Sequence, residues 1–164
     1  MFSEILINQA KNILNSCENK HIKIATAESC TGGLIAALFT EIAGSSKVFE
    51  RGFVTYSNAA KHELLGVENE LLNKYGAVSA EVAKAMAEGA LKQSKVDITI
   101  AVTGIAGPDG GTQEKPVGLV YIALAAKEKA TIFKKCDFDG NRSDIRLSTV
   151  HAALTMIESS VSEC

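Results

Sequence analysis

The sequence predicts an α/β fold: a single-domain three-layer α/β/α sandwich around a mixed, mostly parallel sheet. Three observations lead there. Short β-branched apolar runs alternate with longer stretches whose apolar residues recur at helical spacing. Two neighbouring runs late in the chain alternate apolar and polar residues, as an antiparallel pair does. The 164 residues, 46% hydrophobic and 22% charged, suit one ordinary core, and no linker, repeat or low-complexity stretch divides them.

From Ser3 to Glu18, the residues Ile5, Leu6, Ala10, Ile13, Leu14 and Cys17 form one helical stripe. Ile22 to Ala27 reads as a buried strand. Thr31-Gly32-Gly33 opens a helix over Leu34 to Ala43, with Gly44 as its C-terminal stop. Phe53 to Tyr56 is a second strand. Ser57 or Asn58 caps a short helix through Leu65, closed by Gly66. Ser79 caps a longer helix from Ala80 to about Ser94, with Glu81 suited to its first turn. Asp97 to Thr103 is a strand, followed by a glycine-rich loop from Gly104 to Thr112. Leu119 to Ala125 and Thr131 to Phe138 pair across a turn at Lys127-Glu128-Lys129. Ser143 or Asp144 opens the last helix, which carries Ile145, Leu147, Val150, Leu154 and Ile157.

The totals exclude several classes. Net charge is -2, no stretch concentrates Lys and Arg, and Trp is absent, so neither a phosphate-neutralising stripe nor a base-stacking surface is expected. No apolar run approaches the ~18 residues of a membrane span, and Met1-Phe2-Ser3-Glu4 lacks the basic start of a signal peptide. Cys17, Cys30, Cys136 and Cys164 show no CxxC spacing and read as reduced thiols, which places the chain in the cytoplasm. His21, His62 and His151 lie far apart, with no HExxH pattern, so neither a metal nor another cofactor is expected.

Ligands of open α/β sheets bind beyond the carboxyl ends of the strands. Three segments fall there, with Arg142 at the start of the last helix as a fourth contributor. Glu28 to Gly33 sets hydroxyls and a carboxylate before two glycines, where helix N–H groups suit an anion; Ser29 or Thr31 serves equally as a plain cap. Tyr56 to Lys61 puts an aromatic hydroxyl and a lysine near one another. A desolvated Lys61 would take a proton from a serine, whereas a solvated one would be an ordinary helix residue. Thr103 to Thr112 matches neither GxGxxG nor a phosphate loop; it is either a loop closing over a ligand or a long hairpin connection. Arg142 is a phosphate clamp or an exposed first-turn residue. Cys30, at a helix start, is a possible nucleophile or a small buried residue.

Five segments in order carry a resemblance. They are Thr26-Ala27-Glu28-Ser29-Cys30-Thr31-Gly32-Gly33, then Ile42-Ala43-Gly44-Ser45-Ser46, then Glu50-Arg51-Gly52-Phe53-Val54-Thr55-Tyr56-Ser57-Asn58 with Lys61, then Gly76-Ala77-Val78-Ser79, and finally Thr103 to Gly111 with Lys115-Pro116-Val117-Gly118. Over nearly its whole length the chain resembles the CinA C-terminal domain family, whose stand-alone, PncC-like members are nicotinamide-mononucleotide amidohydrolases. The resemblance implies metal-free hydrolysis of the carboxamide of nicotinamide mononucleotide to nicotinate mononucleotide and ammonia, by a homodimer or larger assembly. It implies no nucleic acid or membrane partner. Longer members carry a further N-terminal domain linked to ADP-ribose hydrolysis, for which residues 1–164 leave no room.

On matching positions the resemblance makes Ser29 the nucleophile and Lys61 its general base, with Tyr56 beside them. Glu28, Cys30, Thr31, Gly32, Gly33, Asn58, Thr103, Gly104, Gly107 and Arg142 are then substrate contacts, Arg142 on the phosphate side. Ser46 follows a helix that should end on the opposite side of the sheet, so it joins the site only if its loop folds back or a partner subunit supplies it. The Thr31 to Gly33 backbone either cradles phosphate or stabilises the oxyanion. The competing function is a non-catalytic pyridine-nucleotide-binding or competence-related accessory module, which has no need of a Ser–Lys pair.

Overall fold

The computed structural model describes residues 1–164. Its strands are β1 (Ile24–Glu28), β2 (Phe49–Val54), β3 (Ile98–Gly104), β4 (Leu119–Ala126) and β5 (Ile132–Asp137), in the sheet order β2-β1-β3-β4-β5. β1 pairs in parallel with both β2 and β3, while the β3–β4 and β4–β5 pairings are antiparallel. Only β4 therefore runs against the rest, and the sheet is mixed and mostly parallel in strand direction. The helices are α1 (Glu4–Asn19), α2 (Leu34–Thr40), α3 (Asn58–Leu65), α4 (Asn69–Tyr75), α5 (Ala80–Gln93) and α6 (Arg142–Ser162). No helix is long and apolar enough to cross a membrane.

Strand alternation gives the two sheet faces different chemistry. One face presents Ile24, Ile98, Ile100, Val102, Val120, Ile122 and Leu124 to a large core shared with α1, α2 and α6. The other presents Ala27, Ala101, Ala123 and Ala125 to Val82, Ala83, Met86, Ala87 and Ala90 of α5, with Leu65 and Leu72 from α3 and α4. Small residues on both sides let α5 lie close against the sheet, near enough for the Thr99 hydroxyl to donate to the Ala87 carbonyl at 2.7 Å. The result is the three-layer arrangement.

Local chemistry explains most boundaries. Ser3, Ser57 and Ser79 cap α1, α3 and α5 by accepting from Leu6, Ala60 and Val82 N–H. α6 starts one turn position earlier than predicted: Asn141 is its cap, and Asp144 completes a capping box from the third helical position. Gly44 does not close α2, which ends at Thr40; with φ +86° it opens a 3₁₀ turn over Ser45–Lys47. β1 begins at Ile24 rather than Ile22, and β2 lies earlier than predicted, ending at Val54. That edge strand is largely exposed and offers little hydrophobic pattern. α4 went unpredicted; its seven residues bury only Leu72. Ile5 and Leu147 lie on the outer faces of their helices, 73% and 36% exposed.

The chain leaves β1 toward β2 through α2 on one face, then returns from β2 to β3 through α3, α4 and α5 on the other. The two connections diverge around β1, so its carboxyl end is the point where the strand order reverses and a crevice opens.

The α3–α5 contact is what holds α3 at that crevice. A Cβ on Gly89 of α5 would lie 1.9 Å from the Leu65 carbonyl oxygen of α3. Gly89→Ala is expected to lower unfolding stability by about 1–3 kcal/mol through forced separation of the helices. Urea denaturation checks this, and a midpoint equal to wild type would refute the close packing.

Candidate active site

Ser29 follows the last residue of β1, and its N–H donates to the Val102 carbonyl of β3 at 3.0 Å. Period-two alternation continues through the strand end. Glu28 therefore turns toward the α2 layer and Ser29 toward the α3 layer. Lys61, one turn into α3, meets Ser29 there: its Nζ donates to Ser29 Oγ at 3.0 Å and to the Thr55 carbonyl at 2.9 Å. Lys61 is 1% exposed, Ser29 8%.

No carboxylate pairs with Lys61; the ion pairs of the chain are Lys47–Glu18, Arg51–Glu50 and Lys127–Asp97, all at the surface. Burial without a counter-ion disfavours the ammonium form and pushes the Lys61 pKa below its ordinary 10.5. A buried amine held on a serine hydroxyl, with its pKa lowered, is an arrangement in which the amine can take the hydroxyl proton.

Glu28 has a different task from the predicted substrate contact. It is fully buried. Its Oε2 accepts from Thr31 Oγ1 at 2.6 Å, Gly33 N at 3.1 Å and Ile35 N at 3.0 Å, and its Oε1 from Ala36 N at 2.9 Å. The carboxylate thus occupies the N-terminus of α2 from inside the protein, where the helix dipole favours it. Gly32 N–H donates to the Ser29 carbonyl at 3.0 Å. The Gly32 and Gly33 N–H groups are therefore spent on the turn itself, and Thr31 is fully buried with its hydroxyl on Glu28. Of the predicted Thr31 to Gly33 cradle, two N–H groups are thus engaged within the protein. The Cys30 and Thr31 N–H groups, by contrast, donate to no main-chain carbonyl, and Cys30 lines the cavity with Ser29.

That cavity, about 190 Å³, is also lined by Tyr56, Asn58, Lys61, Thr103, Gly104 and Arg142. Tyr56 is largely exposed, and its hydroxyl accepts from Arg142 Nη2 at 3.1 Å instead of touching Ser29 or Lys61. Arg142 Nη1 donates to the Gly107 carbonyl at 2.7 Å, so this arginine spans the cavity mouth and Gly107 anchors it from outside the lining. Thr103 turns its hydroxyl to the Ala77 carbonyl at 2.8 Å. Ser46 is exposed in the 3₁₀ turn before β2, at the opposite end of the sheet, and its loop does not fold back to the site.

Ala77, Val78 and Ala106 also line the cavity. All three lie within the motifs above, but small apolar side chains carry no chemistry that a sequence pattern could mark. A larger groove of about 640 Å³ lies between α1, β5 and α6, lined by Ile5, Phe138, Leu147 and His151 among others. It contains no nucleophile and base in contact, so size does not mark the reactive site here. No group of three or more His, Cys, Asp or Glu side chains converges anywhere.

Cys30 is unsuited to nucleophilic attack: burial, outweighing the other influences, pushes its thiol up to about 12. Of the four thiols, Cys17, Cys30 and Cys136 are buried and Cys164 exposed. Iodoacetamide at pH 8 is expected to alkylate Cys164 in the folded protein and to reach Cys30 only after unfolding. A fast Cys30 adduct, located by peptide mass spectrometry, would make the thiol a competitor to Ser29.

Comparison with known proteins places this geometry. The family model of the CinA C-terminal domain matches residues 7–161. The nicotinamide-nucleotide amidohydrolase PncC of Enterobacter agglomerans is 56% identical over 124 residues, covering 76% of this chain and 76% of that protein. A CinA-like protein of Endomicrobium trichonymphae is 56% identical over 140 residues, which is 85% of this chain and 32% of that protein. The chain spans about a third of the length of the first curated relatives it matches. The crystal structure of the competence/damage inducible protein CihA from Agrobacterium tumefaciens is similar with a TM-score of 0.95 at 48% identity, covering 97% of each chain. The chain belongs to the CinA C-terminal domain family.

Proposed function

We propose that this protein hydrolyses the carboxamide of nicotinamide mononucleotide, giving nicotinate mononucleotide and ammonia, with Ser29 as nucleophile and Lys61 as general base. The observation that carries the proposal is the 3.0 Å contact between Lys61 Nζ and Ser29 Oγ inside a buried cavity. A pure binding module gains nothing from placing an unpaired lysine there, where desolvation destabilises it. Similarity to PncC supplies the substrate class.

Each step then has a group to perform it. Ser29 Oγ bonds to the amide carbon while its proton passes to Lys61 Nζ. The carbonyl oxygen becomes an oxyanion, for which the Cys30 N–H, adjacent to the nucleophile and engaged with no main-chain carbonyl, is the donor. Collapse breaks the C–N bond as Lys61 protonates the departing nitrogen, leaving ammonia and an acyl-Ser29 ester. Water then attacks the ester with Lys61 again taking the proton, which returns to Ser29 as the carboxylate leaves. A cavity of about 190 Å³ is smaller than the ~300–1,000 Å³ of whole-ligand sites, so it takes the pyridine carboxamide end. The ribose phosphate then lies at the mouth, where the Arg142 guanidinium offers a bidentate anion contact.

Purified protein is expected to release ammonia from nicotinamide mononucleotide and not from free nicotinamide. Ser29→Ala and Lys61→Ala should each lower kcat by roughly 10⁴-fold or more while nucleotide binding stays measurable by calorimetry. Binding without ammonia release, even at high enzyme concentration, would leave the accessory binding module standing instead.

The pH dependence has a definite sign. Neutral Lys61 is the active base, so kcat/KM should rise with pH as the ammonium form is lost. It should level off below the ordinary lysine value of 10.5, because burial lowers the Lys61 pKa. A rate independent of pH between 6 and 10 would remove Lys61 from the base role.

A further inference from the structure

α6 carries two arginines four residues apart, and only Arg142 faces the cavity. Arg146 lies half-buried behind the Ser29 to Gly33 turn. Its Nε donates to the Cys30 carbonyl at 3.2 Å and its Nη2 to the Thr31 carbonyl at 2.9 Å. No carboxylate pairs with it, so this guanidinium is committed to two main-chain oxygens of one turn.

A trans peptide unit points its C=O and N–H in opposite directions. Arg146 fixes the Thr31 carbonyl, which sends the Gly32 N–H to the other side of that peptide, where it donates to the Ser29 carbonyl at 3.0 Å. The Ser29 carbonyl, held in this way, sends the Cys30 N–H in the opposite direction. Two peptide planes in series therefore connect Arg146 to the Cys30 N–H, which donates to no main-chain carbonyl. The direct bond to the Cys30 carbonyl steadies the plane between these two, whose Thr31 N–H likewise donates to no main-chain carbonyl.

Resting on the amidohydrolase reading, we infer that Arg146 is a positioning residue: its fork on the Cys30 and Thr31 carbonyls aims the Cys30 N–H at the oxyanion formed on Ser29. Hydrogen bonds linked through peptide units polarise one another, so the cation also strengthens that donor. The turn does not depend on Arg146 to fold, because Glu28 holds its far end through four hydrogen bonds. Loss of Arg146 should therefore act on the transition state more than on stability or substrate binding.

Steady-state kinetics on the full chain with nicotinamide mononucleotide, run with thermal unfolding, tests this on wild type, Ser29→Ala, Arg146→Gln and Arg146→Lys. Arg146→Gln is expected to lower kcat by about 10²-fold, as loss of an oxyanion donor does, with KM within about threefold and a folded protein at assay temperature. Arg146→Lys keeps the charge but reaches one carbonyl at a time, so its kcat should fall between the two. Added guanidinium should restore part of the Arg146→Gln rate. A wild-type kcat in Arg146→Gln, while Ser29→Ala is inactive, overturns the Arg146 role and leaves the amidohydrolase reading intact. Losses that follow the melting temperature, without intermediate activity in Arg146→Lys or rescue by guanidinium, overturn it in favour of a structural brace. A wild-type protein that releases no ammonia overturns the underlying reading and this role together.

Discussion

The buried Glu28 carboxylate is the interaction on which the rest of the structure depends. Moving a carboxylate out of water is expensive unless its oxygens are fully engaged, and here four donors engage them, two from the turn before α2 and two from its first turn. This fixes the direction in which the chain leaves β1, because the helix start must wrap the last residue of the strand. Gly32 and Gly33, with φ of +60° and +100°, make so tight a wrap possible. The strand's alternation does the remainder: with Glu28 committed to the α2 face, Ser29 has to face α3. The placement of Ser29 is a by-product of helix capping.

Lys61 is the complementary constraint. An unpaired lysine at 1% exposure opposes folding, and it is tolerated because α3 is held from both ends. Ser57 caps its start and Gly66 closes it, while the Leu65 carbonyl seats against Gly89 of α5. The alanine-rich sheet face lets α5 come close enough to provide that seat. Stability invested in the α5 layer is thus what keeps an amine desolvated beside a hydroxyl, which links the second, smaller core to reactivity.

Much of this was legible in the sequence, and the gaps have physical causes. Element order, the antiparallel pair and the serine caps were readable because periodicity and capping are local signals. So was the convergence of Ser29 with Lys61, which follows once both are placed at carboxyl ends of neighbouring parallel strands. α4 was not readable, since seven residues with one buried side chain leave no periodic trace. β2 was read as a strand at Phe53 to Tyr56, but its true start at Phe49 was not, since this edge strand is exposed over most of its length. Gly44 read as a stop for α2 because a glycine with positive φ serves a C-cap and a 3₁₀ start alike. Arg146 was missed because its partners are main-chain carbonyls, to which sequence patterns are blind.

The role of the Glu28 to Gly33 segment is decided by the same accounting of donors. A helix N-terminus takes one anion, and in this chain a side-chain carboxylate has already taken it. Phosphate brought to the start of α2 would meet that negative charge and find Gly33, Ile35 and Ala36 N–H engaged. The choice between phosphate cradle and oxyanion hole therefore falls away from phosphate. On the proposed function, phosphate recognition would fall to side chains, and Arg142, held at the cavity mouth by Tyr56 and Gly107, is the cation placed there. What the turn retains free of main-chain carbonyls is the N–H groups of Cys30 and Thr31, beside the one hydroxyl held on an unpaired buried amine.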